Sequence, residues 1–251
     1  MISEAKSDSF RHEIEAECNN ASWEAKPVLK EIYGQFHRLI RSRLASQFGK
    51  PTVELGSGIC LIKDVIPDCI CTDCHARPGI DQVEDCYQLS FANESVANLI
   101  MFDVFHHLQY PGHALEESYR VLSAGGRLLI FEPALSLLGW IVYGMCHAEP
   151  IGYRKRIDWN RPEGHRGPHP YYAAQGNAHR VFVKKEFEYE ISKWRITELV
   201  RSSSFSYVTS GGFSRPQLYP TKFLSCMRRL DTLMDFFPSL FATRMFVVIE
   251  K

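Results

Sequence analysis

Residues able to hold a small molecule stand together near position 55, where an apolar run meets a glycine turn. The segment PTVELGSGI, residues 51–59, predicts a buried strand followed by the turn, with Glu54 just ahead of it. Gly56 and Gly58 permit backbone angles and close approaches that a Cβ would forbid, so a ligand can lie against bare main chain. Glu54 places a negative charge beside that opening. The segment therefore predicts a ligand site at the end of a strand.

Three kinds of nucleotide-type ligand use such a turn, and the spacing of the glycines separates them. A phosphate-binding P-loop needs GxxxxGK followed by Ser or Thr, and the segment does not fit it. A dinucleotide fingerprint needs GxGxxG, and Leu61 stands where its last glycine belongs. The remaining pattern, E-x-G-x-G, resembles motif I of the class I S-adenosylmethionine-dependent methyltransferases. Cys60 stands where many members carry a third glycine, and a turn without a ligand is the alternative interpretation.

A second acid stands at the tip of the next predicted strand. Asp73 ends the short apolar run 69–72 and follows Glu54 by 19 residues, close to the interval of about 20 that places an acid beside a ribose. A carboxylate there can accept hydrogen bonds from both ribose hydroxyls. Asp81, in the loop that follows, competes for this role. For either residue, an Asp that only caps a turn is the alternative.

The segment VEDCYQLSF, residues 83–91, resembles the part of the family in which an Asp and the backbone after it meet the adenine edge. The resemblance therefore implies that Asp85 and Cys86 contact adenine, and that Ser57 of the glycine turn also lines the donor site. This donor is S-adenosylmethionine, and the product is S-adenosylhomocysteine.

The next segments match the family in the same order. Residues 96–102 predict a buried strand, and Asp103 follows it in a string that ends with the pair His106 and His107. A helix from about residue 112 to residue 122 precedes the string AGGRLLIFEP, in which residues 127–131 predict the fifth strand. The resemblance spans about residues 50–134 and implies that Asp103 also contacts the donor.

The family resemblance implies an α/β fold, a seven-stranded Rossmann-like sheet that is mostly parallel, with an antiparallel last strand and helices on both faces. We expect an N-terminal helical extension or lid over residues 1–50 and the donor-binding half over 51–134. A substrate-recognition insertion is expected over 135–183. The rest of the domain, 184–251, is expected to include an inserted helical cap at 218–243.

Periodicity sets the expected elements outside the matched region. Apolar residues once per turn predict a helix from Trp23 to Phe48, ended by Gly49-Lys50-Pro51. A second helix is expected near 184–202, and strands six and seven at 205–209 and 245–250. The stretch 218–243 carries an apolar stripe with interspersed Lys and Arg. This stripe predicts a cap or a dimer face, with a membrane or a lipid-linked substrate as the alternative, and the oligomeric state stays open.

Composition limits the class of partner. Twenty-nine basic and 29 acidic residues cancel, so no overall field draws the chain to nucleic acid. Residues 1–20 are charged and lack the apolar centre of a signal peptide, and the apolar run 134–146 is too short to span a bilayer. We expect a cytoplasmic protein, with peripheral membrane contact as the alternative, that acts on a small molecule.

The eight cysteines are expected to be free thiols. Cys69, Cys71, Cys74 and His75 form C-x-C-x-x-C-H, a set that zinc can use. The first two fall on a predicted strand, however, and buried cysteines often behave as small apolar residues. We therefore expect no metal site and keep a zinc-dependent module as an alternative.

Two groups of side chains are candidates for the acceptor site. His107 and His106 end the fourth-strand segment, where the resemblance implies the methyl group, and imidazole titrates in the range useful for a general base. The segment 147–180 is rich in Tyr, His and Arg and follows the fifth strand, so it is expected to border the donor. The candidate substrate-binding residues in it are His147, Tyr171, Tyr172 and Asn177.

Together these patterns predict an S-adenosylmethionine-dependent methyltransferase that acts in biosynthesis on the hydroxyl of a small polar acceptor, such as a sugar or a natural product. A protein that binds the donor without transferring the methyl group is the alternative from another class.

Overall fold

The computed structural model describes residues 2–162 and 171–251, with side chains from residue 13 onward. Its strands are β1 Thr52–Leu55, β2 Ile70–Asp73, β3 Gln82–Val83, β4 Val96–Phe102, β5 Leu122–Pro133, β6 Arg195–Ser202 and β7 Arg244–Glu250. They form one sheet in the order β3-β2-β1-β4-β5-β7-β6, in which only β7 runs antiparallel to the others. The predicted α/β fold with an antiparallel last strand is confirmed.

The central strands are apolar on both faces because helices cover both faces of the sheet. In β4, every residue from Val96 to Met101 is buried. Ile100 packs on the same side as Ile40 of the N-terminal helices, whereas Leu99 packs with Leu115 on the opposite side. A strand covered in this way reads as a continuous apolar run, which is why β4 could be predicted from its composition.

The helices are α1 Ile2–Ala25, α2 Pro27–Arg41, α3 Pro111–Val121, α4 Leu137–Ile141, α5 Phe205–Thr209, α6 Leu224–Met234 and α7 Pro238–Phe241. Both α2 and α3 begin with proline in the first turn, where its missing N–H costs nothing. The predicted cap 218–243 contains α6 and α7. Among the described residues, no helix has the length and apolar character needed to cross a membrane.

The predicted helix from Trp23 to Phe48 was wrong at both ends. Pro27 starts a new helix after a break at Lys26, and α2 ends at Arg41. Beyond it, the side chain of Asn98 on β4 accepts a hydrogen bond from the Ala45 N–H at 2.7 Å and donates to the Ala45 carbonyl at 3.0 Å. These bonds hold the chain in a non-helical course toward β1.

The predictions for residues 184–209 were also wrong. The expected helix near 184–202 is instead a series of turns followed by β6, and the expected sixth strand at 205–209 is α5. Ile196, Leu199 and Val200 have helical spacing, but β6 is an edge strand on which all three are partly exposed, so no alternation marks it. Pairing with β7 imposes the strand, and only the tertiary structure supplies that partner.

The segment between β5 and β6 is irregular. It contains α4 and two π-helical turns, Val142–Cys146 and His179–Val183. Single π-turns of this kind occur often at functional sites. Residues 163–170 of the predicted recognition segment lie outside the described residues.

Candidate functional site

The carboxyl ends of the strands bring the predicted residues to one edge of the sheet. Glu54 and the glycine turn follow β1, Asp73 ends β2, Asp103 to His107 follow β4, and Glu132 lies near the end of β5. Ligands of open α/β sheets bind at this edge. We call Glu54 through Asp73 the glycine-turn side, and we call His106, His107, Glu132, Glu149 and residues 171–177 the histidine side.

The glycine turn is held by hydrogen bonds between β1 and β2. Ser57 donates its backbone N–H to the Thr72 carbonyl at 2.8 Å and its hydroxyl to the Glu54 carbonyl at 3.1 Å. Gly56 and Gly58 both adopt left-handed backbone, at φ 68° and 55°. A Cβ on Gly56 would lie 2.6 Å from a Val104 methyl, whereas a Cβ on Gly58 would meet no atom within 4 Å. Gly56 is therefore needed for packing, and Gly58 borders open space.

Cys60 also adopts left-handed backbone, at φ 57°, which is uncommon for a residue with a side chain. Its position is the one where many family members carry a third glycine. The turn therefore keeps a backbone conformation that glycine favours, although a thiol occupies the position.

Glu54 is buried, with 4% of its surface exposed. Burial, with contributions from Cys71 and Asp73, raises the pKa of its carboxyl group to about 8. Among the ion pairs of residues 13–162 and 171–251, none involves Glu54. A buried acid without a cationic partner among these residues therefore stands next to the glycine turn.

The two acids predicted to compete for the ribose have different surroundings. Asp73, at the tip of β2, accepts from the Gly58 N–H at 3.2 Å and pairs with Arg77 at 2.5 Å. Asp81 accepts from the Cys71 N–H at 2.8 Å and pairs with Lys63 at 2.7 Å, so it fastens the loop that follows β2. The carboxylate of Asp73 therefore borders the glycine turn, and that of Asp81 supports the loop.

The remaining predicted donor contacts lie farther along the same edge. Asp85 is exposed and accepts from the backbone N–H of Tyr87 at 2.8 Å, while Cys86 is half-buried against the core. Asp103 has left-handed backbone, at φ 56°, and both of its carboxylate oxygens pair with the buried Arg244. The position of Asp103 is thus fixed by the first residue of β7.

The two histidines after β4 have opposite properties. His106 is buried and its Nδ1 lies 2.7 Å from Glu132 Oε2. Burial disfavours its charged form, but Glu132 and Glu149 outweigh that effect and raise the pKa of His106 to about 10. Burial and the nearby His106 lower the pKa of His107 to about 4. At neutral pH, His106 is therefore charged and His107 is neutral, and the pKa of His107 lies below the near-neutral range that the sequence led us to expect of a general base.

Glu149 lies between the two histidines and residues 171–177. Its oxygens lie 3.4 Å from His106 Nε2 and 3.6 Å from His107 Nε2. The Tyr171 hydroxyl and the Gln175 amide each donate to one of its oxygens. Burial would raise the pKa of Glu149, but the two histidines and Tyr171 hold it well below its ordinary value. Glu149 is therefore ionised.

The four predicted substrate residues lie near Glu149 and His107, but their exposure and their contacts differ. His147 is exposed, with its Nδ1 3.8 Å from Glu149, and the Tyr171 ring lies 5.5 Å from that of His107. The Tyr172 carbonyl lies 2.9 Å from His107 Nδ1. Asn177 is buried and donates to the Tyr172 hydroxyl at 3.1 Å, so it positions Tyr172 from within the fold.

Three acidic or amide residues of the histidine side were not among the predicted site residues: Glu132, Glu149 and Gln175. Glu132 carried a signal, because an acid at the carboxyl end of a buried strand seldom lies there for packing. Glu149 and Gln175 belong to the polar segment 147–180 that was predicted to recognise the acceptor, but their contacts with the histidine pair depend on the fold of the segment after β5. Arg244 was also missed, because the stretch before β7 was interpreted as an amphipathic cap.

The cysteines are free thiols throughout the described residues. Cys69 and Cys71 are buried and pack in the core beneath α2. Within residues 13–162 and 171–251, the side chains close enough together to share a metal ion are His106, His107 and Glu149, and Asp103, His106 and Glu132. The cysteine set is not one of these groups.

Comparison with known proteins finds solved structures with a similar fold and a family that matches part of the sequence. Residues 66–130 match the family described as "Methyltransferase domain", a segment that excludes the glycine turn. A methyltransferase from Archaeoglobus fulgidus, described as dependent on S-adenosylmethionine, superposes with a TM-score of 0.51 at 11% identity, over 88% of this chain and 94% of that one.

A chain from the complex of a Haloferax volcanii methyltransferase activator with a putative methyltransferase superposes with a TM-score of 0.50 at 13% identity, over 93% of this chain and 97% of that one. At such identities the likeness concerns the fold. No curated protein sequence matches the chain.

Proposed function

We propose that this chain is a class I S-adenosylmethionine-dependent methyltransferase and that it methylates a hydroxyl oxygen of a small polar acceptor such as a sugar or a natural product; its fold and the match of residues 66–130 support the proposal. One observation carries the proposal. The carboxyl edge of the sheet places a glycine turn with a buried acid beside a cluster of histidines and carboxylates. The first group suits a cationic donor, and the second suits a hydroxyl that must lose a proton.

The glycine-turn side fits S-adenosylmethionine. Glu54 is a buried acid without a cationic partner among the described residues, and the ammonium group of the donor would supply one. Gly58 borders open space, so the donor can lie against the turn. Asp73 offers carboxylate oxygens for the ribose, in competition with Arg77. By the family resemblance, Asp85 and the backbone of Cys86 would contact adenine.

When bound, the donor supplies an electrophilic methyl group on a sulfonium and leaves as the neutral thioether S-adenosylhomocysteine. The chain must hold the acceptor oxygen in line and take its proton. His107 is suited to that role because its Nδ1 lies against the Tyr172 carbonyl, an acceptor, and therefore carries the hydrogen. The Nε2 lone pair of neutral His107 is then free to receive the acceptor proton.

His147, Tyr171 and Tyr172 would contact the acceptor. His147 is exposed beside Glu149, and the Tyr171 ring lies next to His107, so an aromatic face and polar atoms border the same space. Sugars and phenolic natural products present the matching combination of hydroxyls and apolar faces. Asn177 acts through Tyr172, whose hydroxyl it holds.

Calorimetric titration with S-adenosylhomocysteine, followed by assays with methyl-labelled donor against a panel of sugars and phenols, tests the proposal. We expect binding of one ligand per chain and label on a hydroxyl oxygen. Absence of binding to the folded protein would rule out the methyltransferase assignment. Tight binding without label transfer to any acceptor would support the alternative of a donor-binding protein.

A second candidate is an acceptor carried on a lipid, which one surface of the molecule favours. Helices α4 and α7 contact each other, and exposed apolar side chains lie on them and on the residues beside them. These side chains are Leu137, Trp140, Ile141, Met145, Leu233, Phe236, Phe237 and Leu240. The chain runs from β5 through α4 and the π-helical turn Val142–Cys146 toward Glu149, so this candidate rests on the closeness of α4 to the histidine side along the chain.

Co-sedimentation with phosphatidylcholine vesicles tests this second candidate. Binding by the wild-type chain that is lost in F236S/F237S supports a lipid-borne acceptor. Phe48 is a matched control, because it is exposed but lies in the turn before β1, at the opposite edge of the sheet. Equal binding by the F236S/F237S and F48S variants would contradict the idea.

A further inference from the structure

Three side chains on the histidine side converge as the ligands of one ion do. The ligating atoms of His106, His107 and Glu149 all lie within 4.8 Å of one another. Glu149 oxygens lie 3.4 Å and 3.6 Å from the two Nε2 atoms, longer than an ordinary N–H···O hydrogen bond. Two ligands bound to one ion at about 2.1 Å and near-tetrahedral angles are about 3.4 Å apart. The spacing therefore suits an ion between the three groups.

The outer hydrogen bonds of both histidines orient them toward that position. His106 Nδ1 lies 2.7 Å from Glu132 Oε2, and His107 Nδ1 lies 2.9 Å from the Tyr172 carbonyl oxygen. Both partners accept a hydrogen, so each Nδ1 is the natural donor and each Nε2 faces Glu149. Histidines that bind metals almost always donate their other ring N–H to a carboxylate or a backbone carbonyl. This chain provides one of each.

Glu149 is held in the same manner. Tyr171 donates to its Oε1 and Gln175 to its Oε2, which leaves a further lone pair on each oxygen. The backbone N–H of Ala174 donates to the His106 carbonyl at 2.9 Å, so the segment that orients Glu149 is fastened directly to the histidine pair. All three groups are thus positioned by hydrogen bonds with neighbouring residues.

We propose that His106, His107 and Glu149 bind a divalent first-row transition-metal ion. Two imidazoles and one carboxylate form a borderline donor set that favours Zn²⁺, Co²⁺ or Fe²⁺ over Mg²⁺ and leaves coordination positions open. The neighbouring group of Asp103, His106 and Glu132 is a poorer site. Arg244 already pairs with both oxygens of Asp103, and the Phe105 N–H and His106 occupy Glu132.

The consequence for catalysis rests on the proposed function. An ion with open positions can take the acceptor hydroxyl as a ligand and lower its pKa, so that the hydroxyl proton leaves to solvent as the oxygen takes the methyl group. In the metal-loaded protein His107 is then a ligand, and the ion replaces it as the source of activation. This differs from the expectation, drawn from sequence, of a site without metal.

Titration of the chelator-treated protein with Co²⁺ tests the site without any assay of activity. We expect one ion per chain, with visible absorption typical of nitrogen and oxygen ligands and without thiolate charge-transfer bands. Zn²⁺ should displace Co²⁺, whereas Mg²⁺ in large excess should not. Absence of binding, or spectra dominated by thiolate, would overturn the proposal.

Variants locate the ion. His107→Gln and Glu149→Gln are expected to weaken Co²⁺ binding by about 100-fold or more, beyond what loss of an outer-shell partner costs. Glu132→Gln should weaken it by about 10–100-fold, because Gln still accepts from His106 Nδ1 but lacks the charge. His75→Gln is the matched control, since it removes the histidine next to the cysteines. Unchanged affinity in folded Glu149→Gln, or loss in His75→Gln, would refute the site.

Donor binding separates this proposal from the proposed function. A protein that binds Co²⁺ but not S-adenosylhomocysteine would retain the metal site and lose the methyltransferase assignment. A metal-free protein that binds the donor and methylates an acceptor as fast as the loaded one would overturn the catalytic role of the ion.

Discussion

The glycine-turn side draws its main groups from 20 consecutive residues, Glu54 to Asp73, whereas the histidine side collects its groups from four separate segments. The first is built from a strand, a turn and the tip of the next strand, and its shape depends on backbone angles. The second depends on side chains that meet only after the segment beyond β5 folds back onto β4. Under the proposed function, the donor site therefore rests on a local motif, and the acceptor site rests on a tertiary assembly.

The largest expected effect separates the two sides by turnover. His107→Ala should lower turnover by about 10²–10⁴-fold, the range for loss of a proton-transfer group, and leave the affinity for S-adenosylhomocysteine unchanged. Steady-state kinetics and calorimetry measure the two quantities. Because the pKa of His107 is lowered to about 4, its imidazole is neutral from pH 6 to 9. We therefore expect that the titration of His107 causes no change in turnover across that range. Equal losses in turnover and donor affinity would show that the two sides are not separate.

The next-largest expected effect is a pH dependence of donor affinity that arises from the glycine-turn side alone. The pKa of Glu54 is raised to about 8 in the free protein, so the acid is protonated below pH 8 and must release a proton to pair with the donor ammonium. Affinity should therefore rise from pH 6 to pH 8 as Glu54 ionises, while the ammonium group of the ligand stays protonated. The ionisation of Glu54 predicts affinity about 50-fold weaker at pH 6 than at pH 8.

Calorimetry with S-adenosylhomocysteine in buffers of different ionisation enthalpy measures that proton release. Glu54→Gln should abolish the rise between pH 6 and pH 7.5 and bind more weakly near pH 8. If the variant keeps the wild-type profile, Glu54 does not meet the ammonium group.

A smaller effect distinguishes backbone strain from ligand contact within the turn. Gly58 and Gly49 both have left-handed backbone, at φ 55° and 75°, and both have open space where a Cβ would point. Alanine at either position should cost about 1–2 kcal/mol of unfolding free energy. Only Gly58→Ala should also weaken S-adenosylhomocysteine binding, by about tenfold, or about 1.4 kcal/mol. Equal affinities in the two variants would remove Gly58 from the site.

The smallest expected effect sharpens the choice between the two acids after β2. Asp73→Asn should weaken donor binding, since one charged acceptor at the ribose position is lost. Asp81→Asn should leave donor affinity unchanged and lower the unfolding free energy by about 1 kcal/mol or less, because its pair with Lys63 is exposed to solvent. The reverse pattern would place the ribose at Asp81.

Prediction from sequence succeeded where neighbours along the chain decide the structure. The buried run of β4 and the strand near the end of the chain that forms β7 were predicted correctly. The prediction failed for β6, whose apolar residues have helical spacing and whose strand pairing comes from β7. It failed again at the end of α2, where a side chain of β4 captures the backbone of Ala45.

The amino-acid sequence by itself determined the glycine turn and the acids at the ends of β1 and β2, and its resemblance to a known family implied the α/β fold. The turn and the two acids depend on backbone freedom, burial or spacing within about 20 residues. Only the tertiary structure decided that Glu132 and Glu149 flank the histidine pair, that Asp103 is fixed by Arg244, and that Asp81 supports a loop. These contacts join segments far apart in the chain, and no local pattern of residue types specifies which distant partner a side chain will meet.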